Sequence, residues 1–499
     1  MPARPPQRDR RLTEGPVART LVVFALPILA GNVLQSLNGS VNAVWVGRFL
    51  GEAALTATTN ANNILFFLLG SVFGVGMAAT ILVAQAMGAR DLAQARRVMG
   101  TSATFFIGTA VAIAAVGLPL ARHILVWMDT PADALPLAEA YLRVIFLAVP
   151  VLFAFTFVSA VLRGAGDART PFLFLAGVVV LDIALNPLLL FGLGPFPELG
   201  IAGAATATLL ANVIGLAALL AHLRRRRHPL WIGRGERRLL VPDPKILRAL
   251  VVKGVPMGLQ MVLISLSMIA LISMVNGFGS GTAAGYGAAL QLWTYVQMPA
   301  MAIGAAASSM AAQNVGAGRW PRVHATARAG VACNFAMTGT LVVAIVLLDR
   351  LALRLFLPPG SEAVEIARHL NHIAIWSFLF FGVTFVVSGV VRSTGAVVPP
   401  LLMLGLALWG VRVPFAKFAQ PWLGADALWW AFPVSSAVSM GLSLAYYRWG
   451  GWRRARMLGP DQAEPVAAPA ELGTQPTTVL ADPPPEPDAG GTARTPPRG

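Results

Sequence analysis

Long apolar runs separated by short polar or basic stretches occupy the chain from residue 20 to about residue 450. A helix needs about twenty apolar residues to cross a bilayer. Runs of that length lie near 20–47, 54–86, 99–121, 138–161, 171–193 and 200–222, then near 248–276, 283–314, 326–348, 367–390, 399–418 and 426–447. The pattern predicts an all-α polytopic membrane protein with twelve transmembrane helices in two pseudo-symmetric six-helix lobes. Several runs exceed the minimum length and are expected to tilt or kink. Composition agrees: 56% of the 499 residues are hydrophobic and 12% charged, with a mean hydropathy of +0.68, outside the range of soluble domains.

The net charge of +16 would suggest a nucleic-acid partner if its residues formed one patch. They sit instead between the apolar runs, mostly in alternate loops and so on one side. Arg4, Arg8, Arg10, Arg11 and Arg19 precede the first run; Arg90, Arg96 and Arg97, then Arg163 and Arg169, follow in every second loop. The central loop carries Arg224, Arg225, Arg226, Arg227, Arg234, Arg237, Arg238 and Lys245, and the series ends with Arg319, Arg322, Arg328, Arg392, Arg453, Arg454 and Arg456. Positively charged loops stay on the cytoplasmic side, so both termini are expected to be cytoplasmic, in the cell (inner) membrane, with no nucleic acid bound. The N-terminus resembles a secretory signal, but its apolar run continues through Val46 and reads as an uncleaved first helix. The expected organisation is a tail at 1–19, a lobe at 20–222, a basic linker at 223–246, a second lobe at 247–450, and a proline-rich disordered tail at 451–499. The single cysteine, Cys333, excludes an internal disulfide.

The two halves repeat each other. VLRGAGDARTP (161–171) recurs as VVRSTGAVVPP (390–400), with Arg163 matching Arg392 (392 − 163 = 229), and Pro27 and Pro256 share that offset. AQAMGA (84–89) recurs as AQNVGA (312–317), 228 residues on. One register in several separate places indicates a duplication. Six helices per repeat return the chain to the same side, so the halves are parallel repeats, an arrangement in which substrate sites lie between the halves.

These segments, with the GAATAT run (203–208) and DIALNP (182–187), resemble the multidrug and toxic compound extrusion (MATE) family of the bacterial type, over residues 20 to about 450. The resemblance implies two six-helix lobes and export of organic, often cationic, drugs or toxins in exchange for protons or sodium ions. Many members carry a valine-aspartate pair in the first helix and Asn-x-x-x-Asp-Pro in the fifth. Here Asn42 replaces the first aspartate, and in DIALNP the acid and amide have traded places, with Asp182 one turn before Asn186 and Pro187.

An ionised side chain at bilayer depth costs at least roughly 2.5 kcal/mol on insertion scales, which makes Asp182 a functional candidate by default. Asn186 lies on the same helical face. Pro187 lacks an N–H, which leaves the Ile183 carbonyl without its helical donor. Asn38 and Asn42 form a polar stripe with Gln35 on the first helix, and Thr208 is a further contributor by motif match. Together Asp182, Asn186, Asn42, Asn38 and Thr208 form the expected cation-coupling site. The second half offers no comparable acid: Leu271 stands at the repeat position of Asn42, and its spans lack acids until Asp426 at a loop edge. Burial disfavours an ionised carboxylate, and no second acid shares a sodium ion's charge, so the expected coupling ion is H+, with Na+ the alternative. No cofactor is expected.

Gln35, Met257, Gln260 and Trp293 are candidate walls of a substrate cavity between the lobes, where methionine and aromatic surfaces suit varied drugs. Arg412 reads as a structural anchor or an attractor of anions, and His369 and His372, with no adjacent acid in sequence, read as interfacial. A lipid-linked oligosaccharide flippase would carry several cations in its spans, and a membrane-embedded enzyme would need clustered acids, histidines or a nucleophile. Neither inventory is present, and no GxxxxGK[ST] phosphate loop occurs. Secondary transport by a monomer in the lipid bilayer is the expectation.

Overall fold

The computed structural model describes residues 12–353 and 361–458. Arg4, Arg8, Arg10 and Arg11, and the tail from 459 that was expected to be disordered, lie outside the described residues. The first lobe consists of α1 (Val17–Leu50), α2 (Glu52–Gly88), α3 (Leu92–Trp127), α4 (Leu135–Gly164), α5 (Arg169–Phe191) and α6 (Ile201–Arg225). The second runs through α7 (Pro244–Asn276), α8 (Ser280–Gly316), α9 (Trp320–Leu347), α10 (Asp349–Leu353), α11 (Glu362–Ala374) and α12 (Ser377–Arg392). It ends with α13 (Val398–Gly405), a π-helical stretch Leu406–Arg412, α14 (Val413–Phe418), α15 (Gln420–Leu423) and α16 (Asp426–Trp449).

Among the described residues nine helices are long and apolar enough to cross a membrane, and eleven when two bent pairs are each taken as one span. One of these pairs is α11 and α12, which meet at 46° where the tenth apolar run was expected to be continuous. The remaining rod is α8, 37 residues long, which falls short in apolarity rather than length. Its buried face is rich in small side chains beyond Met298, among them Ala300, Ala306, Ala307, Ala311 and Ala312. It is enclosed by α1, α2, α9, α11 and α12. A helix surrounded by protein has no need of large lipid-facing side chains, and small ones let neighbouring backbones approach.

The duplication is visible in the backbone. Gly166 and Gly395 adopt φ values of 95° and 104°, 229 positions apart, and Gly51 and Gly279 adopt 85° and 97°, 228 apart. These are left-handed turns that only glycine enters without strain. The same symmetry governs the contact between lobes, where α2 packs on α7 and α8 and α1 on α8 and α9. A Cβ on Gly88 would overlap the carbonyl oxygen of Gln313, and one on Gly316 would overlap that of Gln85. Gln85 Nε2 donates to the Ser393 carbonyl at 2.6 Å, and Gln313 Nε2 donates to the Gly164 carbonyl at 2.9 Å. Donors and acceptors are both related by the repeat (313 − 85 = 228; 393 − 164 = 229). The two Q-x-x-G segments therefore form a reciprocal clasp at the arginine-rich ends of the helices. Further along, Gly74 packs directly on the backbone of Gly254 and Gly258. The N-terminal segment adds a strap, since Arg319 Nη1 donates to the Thr13 carbonyl at 2.7 Å and Arg322 Nη1 to that of Gly15 at 2.9 Å.

One sequence expectation changes, and the fold adds two features that the sequence left open. Residues 451–458, assigned to the tail, pack on the body: Trp452 is fully buried, stacks on Tyr447 with ring centroids 5.0 Å apart, and accepts a bond from Thr394 Oγ1 through its carbonyl at 2.8 Å. The basic linker docks on α3. Arg96 donates to the Pro229 carbonyl at 2.6 Å and pairs with Glu236 at 2.7 Å, while Thr104 donates to the Leu240 carbonyl at 2.6 Å. The histidines, finally, do have acidic neighbours brought in by the fold: His369 Nε2 lies 2.8 Å from Asp426 and His372 Nε2 lies 3.0 Å from Asp349. Among the described residues they still belong to no group of three or more metal-ligating side chains.

Two predictions follow from this packing. Gly88→Val has no room at the clasp and should separate the lobes there, so spin labels at the exposed positions Ala93 and Arg328 should report a longer, broader distance than in the parent. An unchanged distance would contradict the clasp. Asp349, outside the spanning segments, is subject to burial that would raise its pKa. Bonds from His372 and Arg368, the backbone bond from Arg350 and the Arg368 charge outweigh it and hold the carboxyl below its usual range. A depressed folded-state pKa supplies stability above the unfolded value of about 3.9 that is lost as pH falls through the folded value. Asp349→Asn should therefore lower the unfolding temperature at pH 7, with parent and variant converging as pH falls below about 4.

Candidate functional site

Asp182 is placed by α5, whose start is fixed by Asp167, whose carboxylate accepts from the backbone N–H groups of Arg169 at 3.1 Å and Thr170 at 3.0 Å. At 1.5 Å per residue Asp182 lies about 20 Å along the helix, well inside the apolar layer. Two glycines bring α6 alongside: Gly203 packs on the Leu189 backbone and Gly215 on Val178. The α6 hydroxyl Thr208 thereby reaches the α5 carboxylate. On the other side α1 presents Asn38 and Asn42, one turn apart.

The result is a closed polar cluster. Asn38 Nδ2 donates to Asp182 Oδ2 at 2.7 Å, Asn42 Nδ2 to the same oxygen at 3.4 Å, and Thr208 Oγ1 to Asp182 Oδ1 at 3.1 Å. Asn186 Nδ2 donates to Asn42 Oδ1 in a short bond, so the amide four residues after the acid steadies the amide facing it. Asp182 is 1% exposed and Asn186 fully buried. Towards the far end of α1 and α5, the rings of Trp45, Phe49 and Phe191 cluster, with centroids 5.3 Å apart for Trp45 and Phe49 and 5.2 Å for Phe49 and Phe191. Tyr141 of α4 lies within electrostatic reach of Asp182. The sequence offered no signal for it, because a lone tyrosine near a helix start has no pattern.

The five residues expected to form a coupling site are thus brought together, from three helices. The four expected cavity-wall residues are not. Gln35 is exposed, whereas Met257, Gln260 and Trp293 are buried. Gln260 Oε1 accepts from Arg392 Nη1 at 2.7 Å, and that guanidinium also lies 5.6 Å from the Phe385 ring centroid. Trp293 Nε1 donates to Asn371 Oδ1 at 2.7 Å, inside an aromatic group with Tyr286, Phe378 and Phe432. Arg412 donates from Nε to Ser435 Oγ at 2.8 Å and lies 4.7 Å from the Phe432 ring centroid, an anchoring geometry within the second lobe. The glutamines of the clasp, Gln85 and Gln313, were visible only as a repeated motif; their role emerges when the two lobes meet.

Chemically, the cluster presents three donors to one carboxylate and holds two carbonyl oxygens, Asn38 Oδ1 and Asn186 Oδ1, that are buried without a donor. Such a set of oxygens has capacity for one more positive group, a proton or a small cation.

Comparison with known proteins gives the same picture. The family model described as MatE matches the chain twice, over residues 27–188 and 256–418, at the offset of the internal repeat. The chain is 37% identical over 443 residues to the probable multidrug resistance protein YoeA of Bacillus subtilis, covering 88% of this chain and 95% of that one. It is 25% identical to the probable multidrug resistance protein NorM of Thermotoga maritima, covering 90% and 96%. Its fold is similar to a crystal structure of MATE in the straight conformation, with a TM-score of 0.81 at 22% identity, covering 89% of this chain and 98% of that one. On the sequence match, the twice-matched family model and the shared fold, the chain belongs to the multidrug and toxic compound extrusion family, whose members are membrane transporters and not enzymes.

Proposed function

We propose that the protein is a secondary active multidrug efflux antiporter of the bacterial inner membrane, exporting organic, often cationic, compounds in exchange for a cation that occupies the Asp182 cluster. It acts as a monomer by alternating access of its two lobes, with both termini cytoplasmic. The observation that carries this reading is a single carboxylate, buried at bilayer depth and held by donors from α1 and α6, in one lobe of a two-lobed transporter fold. The resistance phenotype in the names of its relatives supports the substrate class.

The arginine-rich ends lie on the cytoplasmic side by the charge rule, and the glutamine clasp joins the lobes at those ends. The clasp at those ends supports reading this arrangement as the outward-facing state, in which the far side receives the coupling ion. A proton is the expected ion. Protonation removes the charge from Asp182, the Asn38 and Asn42 amides then lose their ionic acceptor, and α1 is released to reposition against α5. Drug departs outward from the state that gains the ion, and the ion leaves inward once the clasp opens. The unpaired oxygens of Asn38 and Asn186 favour Na+ as the second reading, because a sodium ion takes several oxygen ligands. The second lobe's buried arginines are each held by a neutral side chain, Arg392 by Gln260 and Arg412 by Ser435, which favours drug export over carriage of a pyrophosphate-linked lipid.

The test is drug efflux from proteoliposomes under imposed gradients. A proton gradient should drive uphill transport by the parent and a sodium gradient at constant pH should not. Asp182→Asn should insert and fold normally yet lose uphill transport, at least about tenfold, the size expected when a group that must carry the proton cannot. Uphill transport by the variant at the parent rate would remove Asp182 from the mechanism.

A further inference from the structure

A cavity of about 540 Å³ lies in the first lobe, between α3, α4, α6 and the docked linker. Its volume is within the roughly 300–1,000 Å³ of small-molecule sites, and it shares no residue with the Asp182 cluster. The inner wall is apolar: Met99, Ala103, Ala154, Phe157 and Leu220 are among its lining residues. The mouth is not, because Arg224 at the end of α6 and Arg237 of the linker also line it. Both are exposed. The acids of the linker face other arginines, Glu236 pairing with Arg96 at 2.7 Å and Asp243 lying 3.9 Å from Arg97. Among the described residues neither Arg224 nor Arg237 has an ion-pair partner. Trp231, half-buried on the linker, also lines the cavity, a residue suited to the boundary between chain and headgroup.

An apolar chamber with two unneutralised guanidinium groups at its mouth repels a cationic drug and complements an anion carrying a hydrocarbon tail. We propose that this cavity binds an anionic phospholipid of the adjoining leaflet, with an acyl chain against Ala103, Ala154 and Phe157 and the headgroup phosphate between Arg224 and Arg237. The lipid would bridge the end of the first lobe to the linker that leads into α7, so its binding should stiffen the junction between lobes. The proposal is independent of the coupling ion and of the exported substrate.

The test is native mass spectrometry of the full chain in detergent, titrated with phosphatidylglycerol, phosphatidylcholine or glycerol phosphate. The parent should retain one phosphatidylglycerol in preference to phosphatidylcholine, and glycerol phosphate should not compete. Arg224→Gln with Arg237→Gln should weaken the site roughly 10- to 30-fold, as two surface cations facing anionic lipid predict. Ala154→Phe, which fills the chamber from a helix on its inner wall, should weaken it with the rim arginines intact. Equal retention of the two lipids, parent-like binding by the double arginine variant, or competition by glycerol phosphate at the affinity of the lipid would each overturn the proposal. The arginines are at the surface, so their variant decides the matter even if Ala154→Phe fails to fold.

Discussion

The first lobe is organised around the need to keep a carboxylate in hydrocarbon. An acid at bilayer depth costs at least about 2.5 kcal/mol, while a hydrogen bond to a charged group contributes about 1.5–3 kcal/mol. The donors from Asn38 and Thr208, supplemented by the longer contact from Asn42, together supply about 3–6 kcal/mol, the same order as the lower bound of the cost. That requirement fixes which faces of α1 and α6 meet α5. It explains the small residues Gly203 and Gly215 that let α6 close in, and the amide at Asn186 that steadies Asn42. A charge that accepts from both α1 and α6 ties these helices to α5, so its loss would be felt by each of them.

The second constraint is steric and belongs to both lobes equally. Glycines at Gly74, Gly88, Gly254 and Gly316 let backbones touch across the interface, where lipid supplies no hydrophobic drive for helices to associate. Contact at van der Waals distance and the two glutamine bonds do that work instead. Because the same residue pairs recur at the repeat offset, each half supplies both a donor and an acceptor to the other. Both bonds span the two lobes at the same ends of the helices.

Much of this was legible in the sequence. The apolar runs gave the helices, the 229-residue register gave the lobes, and the isolated Asp182 with its spaced amides on α1 gave the cluster. All five expected members meet there because helical periodicity fixes which residues share a face. The cavity-wall residues were read from repeat position and polarity, and neither says which way a side chain points: Trp293 and Gln260 satisfy Asn371 and Arg392 inside the second lobe. The carboxylate partners of His369 and His372 were invisible because they come from 57 and 23 positions away. The docking of the linker and of Trp452 likewise depends on tertiary contacts that no local pattern encodes. The weak apolarity of α8 is a further instance, where a helix enclosed by protein departs from the composition that lipid exposure would impose.

The central claim is that one group, Asp182, exchanges its bound ion for drug. Its most direct measurement is the proton count on drug binding, read in weakly buffered detergent solution with a pH indicator as a transported cationic compound is added to purified protein. The parent should release about one proton per drug bound, and Asp182→Asn should release none. Equal release by parent and variant would contradict the claim.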